Sequence, residues 1–436
     1  MQGTVPAPLK ASIQLDTLGK DCIENGEGLF KYKDCVNITP LIMIDDVLAI
    51  SSCGNDSVKM NAIVHSKIDT KQLMFGPKKC FKLHIGSKCT TTCPTLKVHG
   101  QVMKSVEKER YLGDILSNDG KININIQERQ NKGTGYVNQI VSMLREISFG
   151  YHFYNMAMLF RTTMLINGML CSSEALHGIT NTHIDQLESC DTMLFKSIFQ
   201  SPCTTPIVAY FLETGSVPIK FLLKGRRLMF LWNILQKNDD ELVRKVFNAQ
   251  KMFPVKDDFI HQIKEDLEDI GMEFDEQVIM QIKKHKFKMI VNDKIRVASH
   301  SYLLQKKERL SKLDNLSSDY FMKDYLTTDR LSTDEKQLLF NLRTRMIPVK
   351  CNYESMYKDN LLCSLCETNS NESQQHLLVC PGLVEHPSVN TPVRYMDIFD
   401  TLEKQAGAVK YWSKILKNRK IKLKEKEISQ LRSHVH

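Results

Sequence analysis

The chain has 436 residues, of which 42% are apolar and 25% charged, and its 59 Lys and Arg outnumber 50 Asp and Glu to give a formal net charge of +9. At about 150 residues per domain this predicts roughly three domains of ordinary globular composition, and it excludes collagen-like, low-complexity and disulfide-scaffold classes. The longest apolar stretches, 39–50 and 221–235, are broken by Asp45, Asp46, Lys224, Arg226 and Arg227, short of the ~20 residues that span a bilayer, and the first residues form no basic-then-apolar leader; an intracellular chain, nuclear or cytoplasmic and with no membrane partner, is expected.

In chain order, residues 39–115 read as short strands and turns. Leu41–Met43 and 47–51 flank Asp45-Asp46, Gly76-Pro77 punctuates, and Cys93-Pro94 leads into Leu96, Lys97 and Val98, the pattern of an α+β region. From about residue 130 the period becomes helical. Val137, Ile140, Val141 and Leu144, and again Leu228, Leu231, Trp232 and Leu235, fall at i, i+3, i+4, i+7, which predicts amphipathic helices with these residues in the core. Residues 122–345 are expected to be mostly helix. Ser332-Thr333-Asp334-Glu335 has the spacing of a capping box at a helix start. Basic residues cluster in 282–312, which includes Lys283, Lys284, Lys286, Lys288, Lys294, Arg296, Lys306 and Lys307 around Phe287 and Tyr302, and in 414–426. Such runs either neutralise phosphates or form a solvated helix face. No repeat of solenoid or propeller period is present.

Two constellations carry chemistry. Asp45-Asp46 lies between two apolar runs that read as hairpin strands. A tight turn there can bring two carboxylates to one site, where hard divalent cations such as Mg²⁺ take oxygen ligands; a plain hairpin turn uses Asp as well. Further on, Cys363-x2-Cys366-x9-His376-x3-Cys380 supplies two short-spaced pairs of soft ligands joined by a loop, the pattern of a closed, structural Zn²⁺ site, with free thiols as the alternative. An odd cysteine total of 13 without an export signal fits reduced thiols and metal ligands better than disulfides. Cys80, His84, Cys89, Cys93 and His99 form a second, irregularly spaced set that reads more weakly as a metal site.

Taken together and in order, Gln2-Gly3-Thr4-Val5-Pro6-Ala7-Pro8-Leu9, Met43-Ile44-Asp45-Asp46, Phe75-Gly76-Pro77-Lys78-Lys79-Cys80, Tyr111-Leu112-Gly113 with Ser117-Asn118-Asp119-Gly120, and Asn341-Leu342-Arg343-Thr344-Arg345 before the cysteine-histidine knuckle resemble the C-terminal two thirds of a reverse transcriptase from a non-LTR (LINE-type) retrotransposon. Gln2-Gly3-Thr4-Val5-Pro6-Ala7-Pro8-Leu9 is similar to motif B, so Gln2, Gly3 and Pro8 would contact template and nucleotide. Met43-Ile44-Asp45-Asp46 resembles motif C, which carries two of three metal-binding aspartates. Phe75-Gly76-Pro77-Lys78-Lys79-Cys80 resembles motif D, with Lys79 near the departing pyrophosphate. Tyr111-Leu112-Gly113 followed by Ser117-Asn118-Asp119-Gly120 resembles motif E, the primer grip. Asn341-Leu342-Arg343-Thr344-Arg345 leading to the cysteine-histidine knuckle is similar to the C-terminal region of these elements.

The resemblance implies an α+β, mostly helical chain: a partial polymerase palm (1–121), a helical thumb (122–250), a basic helical connector (251–345), a CCHC zinc-knuckle region (346–385) and a basic helical tail (386–436). It implies RNA-templated DNA synthesis, with Mg²⁺ or Mn²⁺ held by Asp45 and Asp46, a structural Zn²⁺, and an RNA template, a DNA primer and deoxynucleotides as partners. Two departures stand out. Met43 replaces an aromatic residue, and motif A, which brings the third metal carboxylate, has no counterpart here, Asp16, Asp21 and Asp34 being the only aspartates before Asp45. Two-metal nucleotidyl transfer needs that carboxylate, so the expectation is a polymerase fragment inactive by itself; the alternative is a non-catalytic nucleic-acid-binding protein derived from a retroelement. Oligomeric state is left open.

Overall fold

The computed structural model describes residues 30–38, 40–43, 46–86, 94–147, 149–357, 360–383 and 393–433. Its strands are short: β1 (Phe30–Tyr32), β2 (Val36–Ile38), β3 (Leu41–Met43), β4 (Asp46–Leu48), β5 (Phe81–Leu83), β6 (Lys97–Val98), β7 (Gln101–Val102), β8 (Lys104–Val106), β9 (Lys108–Tyr111) and β10 (Asp114–Ser117). Longer helices dominate: α1 (Gly54–Thr70), α2 (Asn123–Glu146), α3 (Phe153–Phe160), α4 (Asn181–Phe199), α5 (Ile207–Thr214), α6 (Ile219–Leu235), α7 (Leu242–Met252), α8 (Phe259–Asp269), α9 (Lys284–Glu308), α10 (Thr333–Arg343) and α11 (Leu402–Ser433). The architecture is therefore α+β and mostly helical, and none of the described helices is long and apolar enough to cross a membrane.

Two compact units share the chain. The first comprises 1–128, 172–183 and 223–292, and the second 129–171, 184–222 and 293–436.

In the first unit, Met60, Val64 and Ile68 recur every four residues along α1, so one stripe of the helix is apolar. They form a core with Ile42 and Val47 packed on them. This burial sets the register of the antiparallel β3–β4 pair, with Leu41 opposite Leu48, Ile42 opposite Val47 and Met43 opposite Asp46, because a one-residue slip would turn Ile42 and Val47 outward. The β1–β2 pair packs Val36 and Ile38 on Ala249 of α7. β9 and β10 pair directly, Tyr111 opposite Asp114, through Leu112 and Gly113, both at positive φ, the geometry that two-residue hairpins require. Asp266 of α8, fully buried, accepts from Arg227 Nε at 2.5 Å and from Lys224 Nζ at 3.1 Å. The predicted stripe on α6 holds for Leu228, Leu231 and Leu235, all fully buried. Trp232 departs from it: the ring is only half-buried, its Nε1 donates to the Ile282 carbonyl at 2.9 Å, and Lys284 Nζ lies 5.6 Å from the ring centroid. An indole has one polar edge to satisfy, so it sits at the margin rather than the centre of the core.

The second unit is built on aromatic side chains. Phe195, Tyr210 and Phe340 stack with centroid spacings of 5.3 and 5.2 Å, bringing α4, α5 and α10 together. α10 begins at the predicted capping box, Ser332 Oγ accepting from the Glu335 amide at 3.3 Å while Glu335 Oε2 accepts from the Ser332 amide at 2.9 Å. Arg161 opens a π-helical turn, Arg161–Ile166, and makes a buried bidentate pair with Asp191 at 2.8 and 2.5 Å. One turn before Asp191, burial and the Asp191 charge push the Glu188 carboxyl up to about 7 from 4.5. A raised carboxyl pKa favours the fold in its protonated form, so this stabilisation is complete below pH 4.5 and is lost as pH rises through 7. Unfolding free energy is expected to fall by about 1–3 kcal/mol between pH 5 and 8 on this account. Urea denaturation at both pH values checks it, since Glu188→Gln should flatten the difference.

Candidate metal centre

The zinc-like motif is assembled in the second unit by purely local structure. The Leu361 carbonyl accepts from the Glu372 amide at 2.7 Å and the Ser370 carbonyl from the Cys363 amide at 2.8 Å, which folds 361–372 into a small hairpin carrying Cys363 and Cys366. A single-turn helix, Gln374–Leu377, follows; Ser373 caps it by accepting from the His376 amide at 3.0 Å. His376 lies in this helix and Cys380 just past the turn that ends it, where the Val379 amide donates to the His376 carbonyl at 3.0 Å.

All four ligand atoms lie within 4.8 Å of one another. Cys363 Sγ is 3.8 Å from Cys380 Sγ, and Cys366 Sγ is 3.3 Å from His376 Nε2. A tetrahedral zinc with Zn–S of about 2.3 Å and Zn–N of about 2.0 Å separates two sulfurs by about 3.8 Å and sulfur from nitrogen by about 3.5 Å. The donor set and its spacing therefore fit a structural zinc, with all four positions filled by protein. Cys363 and Cys380 are buried, and burial drives the Cys380 thiol up to about 12 and raises that of Cys363. Metal uptake must expel these protons, since thiolate is the ligand.

The module is closed from outside by side chains that the motif does not announce. Glu372, 1% exposed, accepts from Arg419 Nη2 at 2.5 Å through Oε1. Lys422 Nζ donates to the Gly382 carbonyl at 2.7 Å and Lys426 Nζ to the Ser364 carbonyl at 2.6 Å. Thus the basic run of α11 is not uniformly a phosphate-binding or solvated face: Arg419, Lys422 and Lys426 clamp the cysteine knuckle. Ser373 had a signal in its spacing, three residues before His376; Glu372 had none. Gly382 is required by close approach, since a Cβ there would lie 2.0 Å from the Leu365 carbonyl oxygen. Gly382→Ala should push the Cys363–Cys366 turn away from Cys380 and lower zinc affinity on the order of tenfold or more, by analogy with lost supporting contacts at metal sites; competition titration with a chelator measures it.

The polymerase-like residues fall in the first unit. Asp46 belongs to β4 opposite Met43 rather than to a turn, and it is exposed. Tyr111 Oη donates to the Leu41 carbonyl at 3.3 Å, and its phenol is raised by burial and by Asp46, so the Asp46 and Tyr111 hairpins meet. Leu112 and Gly113 form the exposed tip of β9–β10. Lys79 is exposed on the single turn Pro77–Lys79, and its ammonium forms no hydrogen bond or ion pair among the described residues. Asp45, Gln2, Gly3 and Pro8 lie outside the described residues, as do Cys89 and Cys93. Among the described residues the Cys363–Cys380 set is the one group of metal-binding geometry.

The other basic run divides along α9. Lys283, Lys284, Lys286 and Lys288 are exposed, while Phe287 and Val291 are buried. Farther along, Arg296 Nη2 donates to the Tyr320 carbonyl at 3.1 Å and Lys307 Nζ to the Leu316 carbonyl at 2.5 Å. These two cations hold the loop that follows their helix and are not a free surface. The chain matches no protein-family model and no curated protein sequence.

Proposed function

We propose that this chain is part of an RNA-directed DNA polymerase of the non-LTR retrotransposon type, whose residues here hold template and primer. The observation that carries the reading is the junction of two hairpins that resemble motif C and motif E: Tyr111 bonds the strand before Asp46. In a polymerase palm these hairpins place the metal carboxylates beside the primer end. Asp45 and Asp46 would hold Mg²⁺ or Mn²⁺ there once a third carboxylate completes the two-metal clamp, and the zinc module and the exposed lysines of α9 would bind the nucleic-acid backbone.

Electrostatic contact with single strands makes the logarithm of the binding constant fall with that of salt by about 0.7 per phosphate engaged. Replacing Lys283, Lys286 and Lys288 together by Gln is expected to flatten that slope by about 2, since each removes one phosphate contact. Lys284, already seated over Trp232, should contribute less. Fluorescence anisotropy with a labelled oligoribonucleotide between 50 and 300 mM salt, on the order used for such titrations, is the check. An unchanged slope would assign these lysines to keeping a helix face soluble.

A further inference from the structure

Within the second unit, a cleft of about 510 Å³ opens next to the metal module, lined by Lys312, Arg345, Cys351, Tyr353, Gln374 and Gln375 among others. That lies in the range of about 300–1,000 Å³ that small-molecule sites occupy. Its charge is unbalanced. Arg345 sits at a φ of 55°, a conformation that a long side chain adopts at a cost. Its Nε donates to Tyr395 Oη at 3.4 Å, and its terminal amines have no partner among the described residues. Lys312 donates to the Asn352 carbonyl and lies 5.2 Å from the Tyr353 ring centroid. Among the described residues no carboxylate lies within ion-pair distance of either cation, and Glu354, the single acidic residue of the lining, acts on Lys312 only at longer range. Two half-buried cations against this one exposed carboxylate leave an excess of positive charge, which costs free energy unless an anion answers it. Gln374 borders the cleft from within the packed module: it is 2% exposed and its Nε2 donates to the Leu342 carbonyl at 3.1 Å.

We propose that this cleft binds the phosphate group of a nucleotide, with the free amines of Arg345 and the ammonium of Lys312 supplying the charge. A guanidinium with two open N–H groups matches two phosphate oxygens. The cleft exceeds what a lone phosphate fills, and the exposed carboxamide of Gln375 offers both a donor and an acceptor, as the edges of a sugar and base demand. The inference rests on the preceding reading only in taking nucleic acid as the source of the phosphate; a free mononucleotide has the same chemistry.

The test uses the full zinc-loaded chain and the rate at which N-ethylmaleimide modifies Cys351, which lines the cleft and is partly exposed, with exposed Cys35 as the internal control. Decauridylate at about four times its Kd is expected to slow Cys351 modification about fivefold by mass action and to leave Cys35 unchanged. Protection by decauridylate alone assigns the phosphodiester backbone, and protection by AMP as well assigns a mononucleotide site. In parallel, Lys312→Gln with Arg345→Gln should weaken decauridylate binding about tenfold and flatten its salt slope by about 1.4, two contacts' worth. Absence of Cys351 protection by either probe overturns the proposal, whatever the variant does. If decauridylate binds by anisotropy yet leaves Cys351 unprotected, the cleft assignment fails while the nucleic-acid reading stands. If AMP protects Cys351 and decauridylate does not bind, the cleft stands and that reading fails.

Discussion

Cys380→Ser is expected to abolish zinc retention and to unfold the module from 361 to 383. The purified chain should carry one equivalent of zinc by elemental analysis, and the variant none. The effect is large because a closed four-ligand site contributes about 10–16 kcal/mol of apparent binding free energy, and for so small a module that is folding free energy. Nothing else replaces it. The hairpin has few backbone bonds, and besides the ligands Cys363 and Cys380 the module buries only Leu377 and Leu383 among its apolar side chains, too small a core to hold it. The loss should spread along α11, because Lys422 and Lys426 bond carbonyls of Gly382 and Ser364, which move once the knuckle opens. Hydrogen exchange should therefore rise both in 361–383 and in the second half of α11, and remain unchanged at Met60, Val64 and Ile68 in the first unit. One equivalent of zinc in the variant would show that these residues are not the ligands.

A second large effect is expected at the buried pair of Arg343 and Glu213. Arg343 Nε and Nη2 donate to the two carboxylate oxygens at 3.1 and 3.0 Å, and Nη1 donates to the Ile398 carbonyl at 2.8 Å. The guanidinium lies 5.3 Å from the Tyr325 ring centroid and 5.0 Å from that of Phe399. Glu213 is fully buried. Removing one partner of such a pair leaves an uncompensated buried charge, so Glu213→Ala should cost about 3–5 kcal/mol. In a unit of this size that is a fall in Tm on the order of 10 °C, read by thermal unfolding with near-ultraviolet circular dichroism. Glu213→Leu combined with Arg343→Met should recover much of the loss, because apolar residues of similar volume have no desolvation penalty. If Glu213→Ala melts like the parent chain, the pair is not buried as described.

Much of the candidate site was legible before any coordinate. The two ligand pairs of the metal centre, Cys363 with Cys366 and His376 with Cys380, the capping box before α10 and the strands around Asp46 all depend on spacings of two to four residues, over which backbone geometry alone decides which side chains can meet. The helical stripes of α2 and α6 follow from the same periodicity. Trp232 was misplaced because period locates a face but not how far a polar ring edge must stay from the centre.

What only the tertiary structure decided is the partner of each long charged side chain. Lys288 and Lys422 are the same residue type in similar basic runs, yet the first is exposed and the second bonds the Gly382 carbonyl. Arg343 and Arg345 stand two apart in one motif; one closes on Glu213 and the other opens into a cleft. These outcomes depend on which distant segment packs against the helix. A flexible cation of four or five bonds reaches whatever acceptor that packing presents, and no local period encodes it.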